Sequence, residues 1–208
     1  MKYPFIQELY SVFIKYPNIS TDTRKIMPNS LFFALKGDSF NGNQFAETAL
    51  KLGASYAVID DEKKYHGDKY ILVKDVLTCL QQLATYHRKQ LKSIIIAITG
   101  SNGKTTTKEL IKKVLEKKYR TLATQGNLNN HIGVPLTLLS ITPEIELAIV
   151  EMGANHVGEI AMLCNIAQPD YGMITNIGKA HIGEFGSFEN IIQAKTELYA
   201  YIKSNGKK

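Results

Sequence analysis

Apolar positions recur along this chain in two rhythms. In the first part, two short apolar runs, Leu31-Phe32-Phe33-Ala34-Leu35 and Tyr56-Ala57-Val58-Ile59, read as strands, with a helix over Gln44 to Leu52 between them. Gly53 ends that helix, since glycine closes a helix in the left-handed conformation without a Cβ penalty. Asp75 to Gln90 predict a second helix, because Val76, Leu80, Leu83 and His87 fall on one stripe. His87 reads as a packed or half-exposed histidine and carries no assigned role. A polar segment, Arg88 to Lys92, separates this first part from a second. From Ser93 strands alternate with helices. The strands are expected at Ile94 to Thr99, Glu146 to Glu151 and Tyr171 to Thr175, with a short one at Arg120 to Ala123. The helices are expected at Lys104 to Lys118, His131 to Ser140, Val157 to Ile166 and Phe188 to Ile202. This alternation argues for a parallel sheet covered by helices, in which ligands sit beyond the carboxyl ends of the strands.

Composition narrows the class. A length of 208 residues allows one full domain or two small ones, and 44% apolar with 21% charged residues is the make-up of a folding globular chain. The net charge of +6 is spread over both parts, and the densest run, Lys104 to Arg120, reads as a helix whose lysines face solvent, so no nucleic-acid partner is expected. Cys79 and Cys164 lie far apart, without CxxC or CxxH spacing, and read as buried reduced thiols. The start, Met1-Lys2-Tyr3-Pro4-Phe5, lacks the apolar core of a signal peptide, and no stretch approaches the roughly 18 apolar residues of a membrane span. A cytoplasmic protein without membrane insertion is the expectation.

Three polar motifs fall at strand ends. The first is Gly100-Ser101-Asn102-Gly103-Lys104-Thr105-Thr106, after the strand Ile94 to Thr99 and at the start of a helix. Glycines let backbone N–H groups converge on phosphate oxygens, the helix N-terminus adds its positive dipole, Lys104 neutralises outer phosphates and Thr105 can hold Mg²⁺. The general pattern GxxxxGK[ST] is not met, since Ile98 stands five before Gly103; the loop is the shorter GxxGKTT. The second motif delivers Glu151 at the end of Leu147 to Val150. Read alone it is an exposed strand-end charge; beside a phosphate loop it is a metal ligand. The third, Thr175-Asn176-Ile177-Gly178-Lys179-Ala180-His181, offers an imidazole able to ligate a metal or bond a phosphate, although a loop histidine alone is commonly just solvated. Spacing does not single out Lys195, which on its own is a solvated helical lysine.

Together these stretches resemble the Mur ligase family, ATP-dependent amide-forming enzymes of peptidoglycan precursor synthesis. Gly126-Asn127-Leu128-Asn129-Asn130-His131-Ile132-Gly133-Val134-Pro135 and Glu151-Met152-Gly153-Ala154-Asn155-His156 look like the branch that joins D-Ala-D-Ala to UDP-N-acetylmuramoyl tripeptide. Ser20-Thr21-Asp22-Thr23-Arg24, Leu31 to Gly37 and Asn41 to Phe45 match the family's UDP-substrate domain. The resemblance implies that Gly100, Ser101, Asn102, Gly103, Lys104, Thr105 and Thr106 wrap the ATP phosphates, with Thr105 and Glu151 on one Mg²⁺ and His181 at a second. Lys195 would be a lysine carbamylated by CO₂, an anion able to bridge to a cation, and Lys104, Glu151, His181 and Lys195 would form the catalytic set. Asn129 and Asn130 would lie near the phosphates and the muramoyl substrate, and Asp22, Thr23 and Arg24 near the uridine part. Asn43 stands where the family often has histidine and receives no role.

The implied fold is α/β: a UDP-substrate domain over 1–90, then a truncated parallel-sheet P-loop ATPase domain over 91–208, with the family's C-terminal domain absent. The expected activity is that of an ATP-dependent acid–amino acid (peptide) ligase, with the isolated piece inactive alone. Two alternatives stay open: a related ligase that adds the third amino acid, or a non-catalytic module binding nucleotide and UDP-sugar.

Overall fold

The structure, a computed structural model, describes residues 3–179 and 182–207. The chain falls into two compact units, 1–87 and 88–208.

The first unit is built on four parallel strands. Helix α1 (Ile6–Lys15) buries Leu9 and Phe13, which stand one turn apart. Strands β1 (Asn18–Ser20), β2 (Ser30–Phe33), β5 (Ala54–Ile59) and β6 (Tyr70–Leu72) form a sheet in the order β1-β2-β5-β6, with every pairing parallel. All four residues of β2 are buried, as a strand covered on both faces requires. Between β2 and helix α2 (Ala46–Lys51), β3 (Lys36–Gly37) and β4 (Phe40–Asn41) make a small antiparallel hairpin. The expected helix over 44–52 begins instead as a tighter 3₁₀ turn, Gly42–Phe45, because the Asn41 side chain caps it at the Asn43 N–H. Ala46 and Ala49 have no bulk to hold α2 off the sheet, and they pack on Phe32, Ala57 and Ile59. Asn43 is buried and bonds Asn41 and Asp60, a bracing role within the fold. Helix α3 (Val76–Gln90) buries the expected stripe, including His87, whose ring lies 3.2 Å from the Tyr10 hydroxyl.

The second unit takes α3's last turn, from Arg88, and alternates strands with helices. Its strands are β7 (Ile94–Thr99), β8 (Thr121–Ala123), β9 (Leu147–Glu151) and β10 (Tyr171–Ile174), all parallel in the order β10-β7-β9-β8. The helices are α4 (Lys104–Leu115), α5 (Gly133–Leu139), α6 (Glu159–Ala167), α7 (Ile182–Phe185) and α8 (Phe188–Ser204). The expected α/β architecture with parallel sheets is borne out. Ile111 and Leu115 of α4 pack on Ile98, Ala123 and Ile149. Arg88 is nearly buried; its guanidinium pairs with Asp170 at 2.9 Å and donates to the Ala167 carbonyl. Asp170 also accepts the Ile95 N–H, tying the start of β7 to that pair.

One expectation about α4 fails. The helix ends at Leu115 rather than Lys118, and its lysines do not all face solvent: Lys108 is wholly buried. Lys108 lies four residues after Lys104, on the face turned to the sheet, where its amine meets Thr124 and Glu151. Among the described residues no helix is long and apolar enough to cross a membrane.

Candidate phosphate-binding site

The β-sheet register sets the site. Ile98 of β7 pairs with Glu151 of β9, so the carboxylate leaves its strand beside the Gly100 turn that follows Thr99. The turn is held by backbone reach across strands: the Met152 N–H bonds the Ile98 carbonyl, and the Thr99 hydroxyl bonds the Met152 carbonyl at 2.8 Å. Gly100 has φ +141° and Gly103 φ +77°, conformations an L side chain rarely adopts, and a Cβ on Gly100 would collide with the Thr175 hydroxyl.

Gly103 opens α4, so the N–H groups of Lys104, Thr105 and Thr106 stand at its first turn, where the helix offers them no carbonyl. With the helix dipole they present partial positive charge of the kind that suits an anion. The amides of Ser101 and Asn102, also expected to hold phosphate, are engaged: they donate to the Asn176 carbonyl and to the Asn176 side-chain oxygen at 3.1 Å. The Thr175 hydroxyl and the Asn176 amide return two bonds to the Asn102 carbonyl, and the Ser101 hydroxyl exchanges bonds with Gly178. The loop after β10 therefore clamps the glycine loop, a job for Asn176 that its motif alone did not reveal. The same loop runs towards His181, which lies outside the described residues.

Lys104 folds back, donating to the Gly100 carbonyl at 2.8 Å. Burial lowers its pKa, and the Glu151 charge partly offsets that effect. Glu151 is 1% exposed. Its carboxylate accepts from the Thr105 hydroxyl at 3.0 Å and the Asn129 amide at 2.9 Å, and the Lys108 amine stands 3.7 Å away. This is not the exposed strand-end charge that Glu151 would be when read alone. Asn129 also packs over Gly153, where a Cβ would lie 3.0 Å from its amide. Asn130 caps the start of α5, accepting the Gly133 N–H at 2.9 Å. Sequence reasoning passed over Lys108 and Thr124, both buried beneath Glu151. The available signal was their spacing: Lys108 lies three residues after Thr105 on a helix, and Thr124 follows directly on the short strand 121–123.

A cavity of about 380 Å³ opens above the loop, lined among others by Ser101, Lys104, Asn129, Asn130, Phe185 and Lys195. Lys195 is 3% exposed, not the solvated lysine its position on α8 suggested. Its amine lies 3.4 Å from the Ala154 carbonyl and 5.2 Å over the Phe185 ring. Burial, and then the charge of Lys104, push its pKa down to about 8, against the raising effect of Glu159 and Glu197. In the first unit, Asp22 caps the turn Thr23–Lys25 just after β1, and Arg24 grips its carboxylate at 2.6 Å while the Arg24 side chain stays 86% exposed. That grip and the Arg24 backbone N–H hold the Asp22 carboxyl down at about 2.

The donors at Glu151 suit a hard cation. One hydroxyl, Thr105, and one carboxylate, Glu151, already touch, and no group of three or more His, Cys, Asp or Glu side chains gathers among the described residues. An ion there would complete its oxygen shell from phosphate and water, the habit of Mg²⁺.

Two family profiles match the sequence: one described as "Mur ligase family, catalytic domain" over residues 15–88, and one described as "Mur ligase middle domain" over residues 98–208. The UDP-N-acetylmuramoyl-tripeptide--D-alanyl-D-alanine ligase of Haemophilus influenzae is 41% identical over 197 residues, 93% of this chain and 43% of the relative. A crystal structure of MurF from Acinetobacter baumannii superposes with a TM-score of 0.83 at 36% identity, covering 97% of this chain and 47% of that one. The MurF ligase of Thermotoga maritima, solved in complex with ADP, gives 0.82 at 32% identity over 90% of this chain and 44% of its own. The chain thus spans less than half the length of each of these relatives.

Proposed function

The chain belongs to the Mur ligase family, and from that premise we propose that it forms part of an ATP-dependent ligase joining D-Ala-D-Ala to UDP-N-acetylmuramoyl tripeptide. In this reading residues 1–90 bind the UDP-linked substrate, with Asp22, Thr23 and Arg24 near the uridine, and residues 91–208 bind ATP. The observation that carries it is the contact between the Thr105 hydroxyl and the buried Glu151 carboxylate at the mouth of a glycine loop that opens a helix. That conjunction is what nucleotide phosphates accompanied by a divalent ion require.

Two anions must meet when the tripeptide carboxylate attacks the terminal phosphorus of ATP, forming a C–O–P bond as the bond to ADP breaks. The amine of D-Ala-D-Ala then attacks the acyl phosphate, loses a proton, and phosphate departs. In this mechanism Lys104 leaves the Gly100 carbonyl and meets the outer phosphates, while the first-turn N–H groups of α4 hold the phosphate oxygens. Glu151 and Thr105 would hold Mg²⁺, which neutralises charge on the transferred phosphoryl group. His181 would serve a second ion. Asn129 holds the Glu151 carboxylate in place, and Asn130, which lines the cavity, would meet the substrate there. Lys195 as a neutral amine would add to CO₂, forming an N–C bond and releasing a proton, which places an anion on the cavity wall.

The test is phosphate release from ATP by the longest open reading frame containing this chain, supplied with Mg²⁺ and UDP-muramoyl tripeptide. D-Ala-D-Ala should drive release faster than any single amino acid. Faster release with a single amino acid would overturn the proposal in favour of the branch that adds the third residue.

A further inference from the structure

Three cations among the described residues are nearly or fully buried. Arg88 is spent on Asp170 and on carbonyls that fasten the start of β7, and Lys195 lines the cavity. Lys108 is 0% exposed and lies outside both arrangements. Its amine donates to the Thr124 carbonyl at 2.6 Å, stands 3.2 Å from Glu109 and 3.7 Å from Glu151. Thr124 in turn accepts the Glu151 backbone N–H on its hydroxyl at 2.9 Å and donates its own N–H to the Ile149 carbonyl. The three residues close a buried loop: α4 holds β8's end through Lys108, β8's end holds β9's end through Thr124, and Lys108 reaches the carboxylate from below.

A lysine excluded from water is costly unless its charge is met, and a buried carboxylate is costly for the same reason. The half-exposed Glu109 at 3.2 Å and the buried Glu151 at 3.7 Å together meet the Lys108 charge, and Glu151 is the partner that is itself shut from water. Thr105 and Asn129 bond the two carboxylate oxygens, and Lys108 adds the one ion pair that Glu151 makes among the described residues, a further hold on the carboxylate's direction. We infer that Lys108 is a positioning residue: with Thr124 it holds the Glu151 carboxylate beside the Thr105 hydroxyl, so that a nucleotide-bound divalent cation meets a pre-aimed oxygen. This rests on the phosphate-site reading and adds to it a residue that touches neither phosphate nor cation. Groups that orient a metal's carboxylate typically change metal affinity by about 10- to 100-fold when removed.

The test measures ADP affinity of the 208-residue chain with excess Mg²⁺ and again in EDTA, for the wild type and Lys108→Met. The variant should bind ADP in EDTA within about threefold of wild type, yet lose at least about tenfold of the gain that Mg²⁺ confers. A gain that survives within about threefold, or affinities that fall together with and without Mg²⁺, would overturn the inference. A purely structural lysine would not separate the two conditions. Urea unfolding of Lys108→Met, Glu151→Gln and the double variant gives an independent reading. Neutralising the carboxylate should restore most of the stability, or the foldedness, that Lys108→Met removes; a double variant as damaged as the two losses combined would refute the pairing. Should wild type bind no ADP at all, the phosphate-site reading fails while this cycle still decides the role of Lys108.

Discussion

Lys195 offers a quantity that can be worked through from the structure. Its amine is shut in a cavity wall beside the Phe185 ring, and burial followed by Lys104's charge brings its pKa to about 8 from an ordinary 10.5. At pH 7.4 about a fifth of Lys195 would then be neutral, against about 0.1% of an ordinary lysine, a roughly 200-fold excess of the nucleophilic form. Trace labelling with acetic anhydride across pH, read by mass spectrometry, should show Lys195 levelling off above about pH 8, while an unstructured lysine peptide in the same mixture keeps rising towards 10 or beyond. Lys104→Met removes the second cause and should move the Lys195 midpoint upward without returning it to the surface value, because burial, the larger cause, persists. Stability carries the same sign. The folded state disfavours the proton, so the penalty is present below about pH 8 and is relieved as pH rises from about 8 towards 10.5, by at most about 3 kcal/mol. A Lys195 profile superimposable on that of the unstructured peptide would refute the reasoning.

Two further substitutions probe the frame of the site. Gly100→Ala forces an L residue into φ +141° and pushes on the Thr175 hydroxyl, breaking its 2.6 Å bond to the Asn102 carbonyl; urea unfolding should show a loss of about 2–4 kcal/mol, partly recovered by adding Thr175→Ala. Arg88→Met leaves Asp170, among the described residues, with the more exposed Lys207 as its charged partner, and should cost about 2–3 kcal/mol, with Asp170→Asn in the same chain restoring much of it.

Much of this architecture is legible in residue patterns, for identifiable reasons. Runs such as Ile94 to Thr99 and Leu147 to Glu151 are continuous because both faces are covered, and that feature locates β7 and β9 without tertiary information. Strands of three residues, β1, β6 and β8, carry too few positions to show a period, and two of them escaped prediction. The Lys36–Gly37 and Phe40–Asn41 hairpin escaped because its strands have only two residues each. At the site, the glycine loop between β7 and α4 is readable because its glycines, Lys104 and Thr105 are contiguous and sit between a strand and a helix start. The support of Glu151 is not readable, because it is assembled across strands: Asn129, Thr124 and Lys108 lie 22, 27 and 43 residues from it in sequence. A lysine in a lysine-rich helix gives no local sign of which way it points; only the position of α4 on the sheet buries Lys108 and leaves Lys112 and Lys113 nearer solvent.

The central claim is that residues 100–106 and Glu151 hold nucleotide phosphates, and calorimetric titration of this 208-residue chain with ADP in the presence of Mg²⁺ tests it most directly. Lys104→Ala should weaken ADP binding by about 1.5–3 kcal/mol, about 10- to 150-fold, the worth of a charged contact to a phosphate oxygen. AMP, lacking the outer phosphate, should bind wild type and variant nearly alike. Equal ADP affinity for the two proteins would contradict the account.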